Sequence, residues 1–406
     1  MKIAIISSCS LPVPAVNGGA VESLIESIIR QNELQGKYNI DVYTIYNEQA
    51  VDVAKQYPHT KFICLKKVKA IEMADNFVTL ALRCVKGRND IASRNYIWKL
   101  ILLSKLKDGL KKENYDVIVI QNTIFLFDLF RDKALFERYK GKVYFHVHNS
   151  LVKSTKINHA QLLRRVISIS DYLHDNIKEY LGEKVEIITV HNGIQCEMFN
   201  KKISDFEYSV LREKHKIPNG NKVIVFVGRI APEKGIRETI LAFNKLERQD
   251  CDLLVVGASY FGSGAISPFE SEIMDSISKN PRIHLTGYIP KQEIWKFYAL
   301  GDVAILPSMW EEPLGLTMIE AQAAGIPLIT TVSGGIPETV NEQYSILLAR
   351  NAQIVDKMQE AMEEILNNLS AWKGKAQLAQ QEVNRKYDES KFYQNFMSAL
   401  NMEKRE

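Results

Sequence analysis

The chain has 406 residues, 46% hydrophobic and 25% charged, with a formal net charge of +4, a composition that fits a globular protein too long for one ordinary core and so predicts two domains. No apolar run reaches the roughly 18 residues needed to span a bilayer, and the opening "MKIAIISSCSLP" lacks a small-residue cleavage site, so it reads as a first strand and a cytoplasmic location is expected. Cys9, Cys64, Cys84, Cys196 and Cys251 are odd in number, scattered and nowhere at C-x-x-C spacing, which argues against a disulfide framework or a zinc site.

In chain order, "KIAIISS" predicts a strand, "LPVPAVNGG" a loop, "AVESLIESIIRQNEL" an amphipathic helix and "NIDVYTIY" the next strand. Residues 55–112 then carry 14 basic side chains against 4 acidic ones, most of the excess in a first half of 28 Lys/Arg against 21 Asp/Glu. Within them, "IWKLILLSKLKDGLKK" has apolar residues at helical spacing with lysines between. That pattern suits an anionic membrane surface or an anionic acceptor, and equally a solvated helix face. "YDVIVIQN", "KVYFHVHNS", "RRVISIS" and "VEIITVHNGI" predict further strands, and the polar region from about Gln195 to Asn221 a linker. The second half repeats the alternation: strand "KVIVFVGRI", helix "GIRETILAFNKLERQ", strands "CDLLVVGAS", "RIHLTGYIP", "VAILPS" and "IPLITTVSGG", with helices such as "KQEIWKFYAL" between them. Two strand–loop–helix series predict two open, doubly wound parallel sheets, whose ligands bind beyond the carboxyl ends of the strands.

The loops after those strands carry the informative residues. In "SMWEEPLGLTMIEAQAAG", Pro313 and Gly315 break any helix, whereas "LTMIEAQAA" consists of good helix formers, so a helix starts near Gly315. Its unpaired first-turn N–H groups and positive dipole end suit a phosphate. Glu320, beyond the first turn, would repel phosphate but accept hydrogen bonds from hydroxyls beside it, such as those of a ribose; Glu312, on the loop side, reaches a second hydroxyl-bearing group. After "KVIVFVG", the segment "RIAPEKG" places Arg229 and Lys234 five positions apart at a turn, a planar fork and a point charge that suit a diphosphate. Alone, two glutamates are ordinary dipole-stabilising and surface acids, and "RIAPEKG" an ordinary basic loop; their combination weakens those readings.

"GRIAPEKG", then "GY", "EPLGLTMIEAQAAGIPLITT" and "GGIPETV" resemble, in order and spacing, the retaining nucleotide-sugar glycosyltransferases of the GT-B fold, glycosyltransferase family 4. "NGGAVES", "VISISDYL" and "VHNGI" resemble the family's first domain more loosely, and "NRKYDESKFYQNFMSAL" its helical tail that crosses back. The resemblance implies two Rossmann-like domains facing each other across a donor cleft: residues 1–194, completed by a C-terminal helix at about 385–406, and residues 195–384. By the same resemblance, Gly228, Arg229 and Lys234 meet the donor diphosphate together with the backbone of Gly315 and Leu316. Glu320 takes the ribose, Glu312 the transferred sugar, and Tyr288, Ile289 and Pro290 the base. Gly18 and Gly19 form the close-approach loop. His148 faces the donor sugar in preference to His146, because it lies nearer the carboxyl end of its strand.

The implied activity is retaining transfer of a hexose-type sugar from a nucleoside diphosphate sugar, UDP favoured, to a glycan or lipid-linked acceptor in bacterial surface polysaccharide synthesis. No metal or other cofactor is expected. "DCD" (Asp250 to Asp252) matches a metal-binding D-x-D in form only, since it precedes its strand and so falls at the wrong end of the sheet. Competing readings are a sugar-nucleotide epimerase of the same architecture, which needs acid/base groups and no acceptor, and a noncatalytic nucleotide-sugar-binding protein, which leaves both glutamates without a role. A nicotinamide dehydrogenase is disfavoured because "PVPAVNGGA" lacks the G-x-G-x-x-G spacing, and no nucleic-acid partner is expected.

Overall fold

A computed structural model describes residues 1–86, 95–151, 160–182, 185–258 and 267–400. Part of the basic stretch, residues 87–94, and the last six residues of the predicted C-terminal tail lie outside these. The chain divides into two units, Met1–Ile169 with Leu173–Val190 and Tyr393–Glu406, and Ser170–Tyr172 with His191–Phe392.

The first unit is built on seven strands: β1 (Lys2–Ile6), β2 (Asn39–Ile45), β3 (Thr60–Leu65), β4 (Val117–Gln121), β5 (Val143–Val147), β6 (Leu163–Ser168) and β7 (Ile187–Thr189). They pair in the order β3-β2-β1-β4-β5-β6-β7, and every pairing is parallel. β1 and β4 read as near-continuous apolar runs because helices such as Ala20–Gln35 and Tyr96–Lys112 cover the sheet; Ile5 and its partner Val119 are fully buried. The chain from Tyr393 onward belongs to this unit. Tyr393 donates its hydroxyl to Asn32 Oδ1 at 2.9 Å, and the Leu400 carbonyl accepts from the Tyr144 hydroxyl at 3.2 Å.

The second unit holds β8 (Lys222–Val227), β9 (Cys251–Val256), β10 (Ile283–Leu285), β11 (Val303–Leu306), β12 (Leu328–Thr331) and β13 (Ile346–Leu348), in the order β10-β9-β8-β11-β12-β13 and again all parallel. Its core packs Phe226, Val255 and Ile305 of the sheet against Phe243 and Met362 of the covering helices. Fully burying each such side chain contributes about 1.5–3 kcal/mol. In each sheet the strand order reverses once, between β1 and β4 and between β8 and β11, the place where loops splay to leave a crevice.

Two features differ from expectation. The region from Gln195 to Asn221 is not an extended linker: it contains the helices Cys196–Phe199 and Asp205–Lys214. Ser204 caps the second by accepting from Glu207 N at 3.2 Å, and the buried Arg212 guanidinium donates to the Asn221 carbonyl at 2.9 Å. β3 forms from "TKFICL", within the basic stretch, because it pairs along its length with β2. Among the described residues no helix is long and apolar enough to cross a membrane.

Candidate active site

β8 and β11 are hydrogen-bonded neighbours although two strands separate them in sequence, and the loops leaving their carboxyl ends are stitched together. Met309 N, after β11, donates to the Glu233 carbonyl, after β8, at 2.9 Å. Across this seam Lys234 Nζ reaches Glu312 Oε2 at 2.8 Å and lies 5.7 Å from the centre of the Trp310 ring. The same carboxylate oxygen accepts from Trp310 Nε1 at 2.9 Å and from the Ser308 hydroxyl at 3.2 Å. Three donors on Oε2 fix the rotamer of Glu312 while Oε1 accepts from none of them.

The main chain of Glu312 is fixed as well. Its N–H donates to the Ser333 hydroxyl at 3.3 Å and its carbonyl accepts from Gly335 N at 2.8 Å, so the "SGG" turn after β12 holds the loop after β11 from below. The Ser333 hydroxyl in turn donates to the Trp310 carbonyl. Arg229, at the mouth of the β8 loop, donates to Glu233 Oε1 at 2.9 Å. Both cations of the sequence motif are thus held by carboxylates of their own unit.

Gly315, at φ 92°, is the N-cap of the helix Leu316–Ala323, a conformation that costs glycine little. The amide end of that helix leaves the loop that carries Glu312. Glu320 lies on its second turn, 7% exposed, beside Tyr298 of the helix Ile294–Leu300. The Tyr298 hydroxyl is anchored by the Thr317 carbonyl at 3.1 Å. Burial pushes the Glu320 carboxyl up to about 7, with the Lys291 charge and the Tyr298 hydroxyl pulling the other way. Tyr288, Ile289 and Pro290 follow β10, and a bridge between Gly257 and Gly287 ties their loop to the one after β9.

In the first unit Gly18 and Gly19, at φ 72° and 100°, lead into the helix Ala20–Gln35 after β1. His148 directly follows β5. Its Nε2 lies 2.9 Å from Gln121 Oε1, its N–H donates to Asn122 Oδ1 at 2.9 Å, and its ring centre is 4.1 Å from that of His146. Burial holds His148 down to about 3 and His146 well below the usual imidazole range, so both rings are neutral at pH 7.

The structure therefore brings Lys234, Glu312 and the Gly315 helix start together, with Arg229 on the same loop as Lys234, and buries Glu320 on the second turn of the helix that Gly315 starts. Sequence reasoning missed Glu233, Ser308, Trp310 and Tyr298; only their position in loops or helices flanking the motif residues could have signalled them. Asp250 and Asp252 lie at the amino end of β9, away from these loops, where Asp250 pairs with Arg248 and Asp252 accepts from Asn221 Nδ2 at 2.7 Å. Among the described residues, one group, Asp171, His191 and Glu338, has ligand atoms close enough to share an ion. Glu338, however, already accepts from the N–H groups of Asp171 and Tyr172, each at 2.7 Å, and lies 3.0 Å from His191 Nε2.

Residues 208–381 match the family described as Glycosyl transferases group 1. The chain carries a group 1 glycosyltransferase domain. Spore coat protein SA of Bacillus subtilis is 22% identical to the chain over 91% of it and 90% of that protein. Lipopolysaccharide 1,2-N-acetylglucosaminetransferase of Salmonella typhimurium is 29% identical over 58% of this chain and 59% of that one. Anabaena Alr3699/HepE, solved in complex with UDP-glucose, superposes with a TM-score of 0.73 over 98% of this chain and 99% of that one at 17% identity. This last likeness is one of fold, and the fold is GT-B.

Proposed function

We propose that this group 1 glycosyltransferase moves a hexose-type sugar from a nucleoside diphosphate sugar, UDP favoured, to a hydroxyl of a glycan or lipid-linked acceptor in bacterial surface polysaccharide assembly, with retention and without a metal. The observation that carries the reading is the Lys234–Glu312 pair, 2.8 Å apart where the strand order reverses and next to a glycine-led helix start. In transfer, the bond from the anomeric carbon to the diphosphate breaks and its electron pair leaves with the diphosphate. Arg229, Lys234 and the amides of the Leu316–Ala323 helix stabilise that charge as it develops. The acceptor oxygen forms the new glycosidic bond from the same face, and its proton passes to a phosphate oxygen of the leaving group. Glu312 orients the sugar through its hydroxyls, Glu320 the ribose, and neutral His148 hydrogen-bonds the sugar without adding charge.

The relatives named for a spore coat and for lipopolysaccharide support the surface-polysaccharide setting, and the fold neighbour bound to UDP-glucose supports a uridine donor. The reaction belongs in the cytoplasm, with the basic stretch 55–112 turned to the anionic inner face of the cell membrane. Incubating the protein with UDP-hexoses and a lipid-linked saccharide, then assaying for new glycoside and free UDP, tests the reading. Consumption of the nucleotide sugar without acceptor, to give another nucleotide sugar, would replace it with epimerase chemistry.

A further inference from the structure

Gln121 ends β4, 1% exposed, and is the register partner of His146 on β5; His148, two positions further on, returns to the same face, as its contact with Gln121 shows. The main chain fixes this corner. Asn122, at φ 52°, a left-handed conformation that asparagine tolerates better than most residues, donates its N–H to the His146 carbonyl at 2.8 Å and accepts from His148 N at 2.9 Å through Oδ1. The side chains then lock one imidazole. Gln121 Oε1 stands 2.9 Å from His148 Nε2, and among the described residues it is the one side chain hydrogen-bonded to that ring. His146 packs beside it with ring centres 4.1 Å apart and is itself backed by Phe396 at 5.3 Å, and neither nitrogen of the buried His146 has a partner among the described residues. His146 therefore restrains the His148 ring by packing and leaves the placing of its proton to Gln121.

A neutral imidazole carries a single proton, and the nitrogen that holds it is set by the hydrogen bond the ring makes. An amide oxygen only accepts, so Nε2 holds the proton and donates it to Gln121, and Nδ1 keeps its lone pair with no hydrogen bond among the described residues. On the transferase reading, on which this inference rests, His148 meets the donor sugar. The sign of the group it presents then matters, because the sugar gathers positive charge as its bond to the diphosphate breaks. A lone pair facing that charge favours it, and an N–H in the same place opposes it. We infer that Gln121 is a positioning residue for transfer: it fixes His148 as the Nε2–H form, with the Nδ1 lone pair turned to the sugar.

Nitrogen–proton correlation spectra of the full chain carrying isotope-labelled histidine read the tautomer directly, the His148 signals being those lost in His148→Gln. At pH 7 the parent is expected to show a protonated Nε2 and a bare Nδ1. Gln121→Met keeps the length of the side chain and removes the acceptor, so it should move His148 toward the Nδ1–H form. The same variant should lower kcat for transfer from UDP-glucose about tenfold with KM for the donor unchanged, the mark of an interaction realised in the transition state. The parent spectrum decides the tautomer whether or not the variant folds. A proton on Nδ1 in the parent overturns the inference, and so does a folded Gln121→Met protein that keeps the parent's tautomer or its kcat. The spectra need no donor, so an absence of transfer by the parent would count against the transferase reading and leave the tautomer result standing.

Discussion

The backbone carbonyl of Glu312 occupies the space that a side chain at Gly334 would need: a Cβ there would overlap the carbonyl oxygen and crowd Glu312 N. Gly334 also sits at φ 51°. The loop carrying Glu312 and the turn after β12 therefore pack backbone to backbone, and the position of a candidate catalytic carboxylate depends on a residue with no side chain.

Gly334→Ala is expected to lower stability by about 1–3 kcal/mol and to displace the Glu312 loop, with most of the transfer activity lost. Gly374 makes the contrast. It lies inside the helix Leu369–Tyr387 with nothing near the site of a Cβ, so Gly374→Ala should raise stability by about 0.5–1 kcal/mol. Chemical denaturation of the two variants checks both signs.

Lys234→Ala is expected to leave the fold intact, because Trp310 and Ser308 still hold Glu312 Oε2. The leaving diphosphate loses a cation, so kcat should fall by roughly 10²–10³. Glu312→Gln keeps the shape of the side chain and removes its charge, and should raise KM for the donor along with a smaller loss in kcat. Steady-state kinetics with UDP-glucose, alongside melting curves, separate these effects.

Glu320 gives a pH dependence with a defined sign. Its folded pKa, about 7, lies above the ordinary carboxyl value of 4.5. The stability it contributes is therefore fully present below about pH 4.5 and is lost as the pH rises through 7. The loss is on the order of 3 kcal/mol, since each pH unit between the two values is worth about 1.36 kcal/mol. Glu320→Gln should accordingly be more stable than the parent at pH 8, and the gain should vanish near pH 4.5. Ribose hydroxyls that donate to the carboxylate favour its charged form, so UDP binding should strengthen by up to about tenfold per pH unit from pH 5 to 7, and Glu320→Gln should flatten that slope. Calorimetry at several pH values measures it.

His148 is held down to about 3 by burial. Its ring proton resonances should not shift between pH 5 and 8, and its depressed pKa contributes stability that is present above about pH 6.5 and lost as the pH falls toward 3. An imidazole titrating near 6.5 in the nuclear magnetic resonance spectrum of the intact protein, and absent from His148→Gln, would contradict this.

The strong periodic elements were legible because buried parallel strands are continuous apolar runs and their helices alternate with them. β8, β9 and the helix after Gly315 fall where the residues place them. β3 was not, since "TKFICL" is flanked by lysines and becomes a strand only through its long pairing with β2. The helix Asp205–Lys214 was missed because its polar sequence owes its order to a cap and to buried Arg212, both read only in three dimensions. Within the site, Arg229, Lys234, Glu312 and Glu320 were visible as charges around breakers of regular structure. Glu233 was not, because a surface glutamate four residues after an arginine looks like any exposed pair. Trp310 and Ser308 were missed because their value lies in converging on one carboxylate oxygen.

In the proposed mechanism the donor diphosphate is held by Lys234, Arg229 and the helix start after Gly315, with no divalent ion. Calorimetric titration of UDP into the parent protein and into Lys234→Ala, each with and without chelator, measures that hold without any acceptor or turnover. One UDP site per chain is expected, with affinity unchanged by chelator and a loss of at least tenfold in the variant. Equal affinity in the two proteins, or binding that disappears with chelator and returns with magnesium, would contradict it.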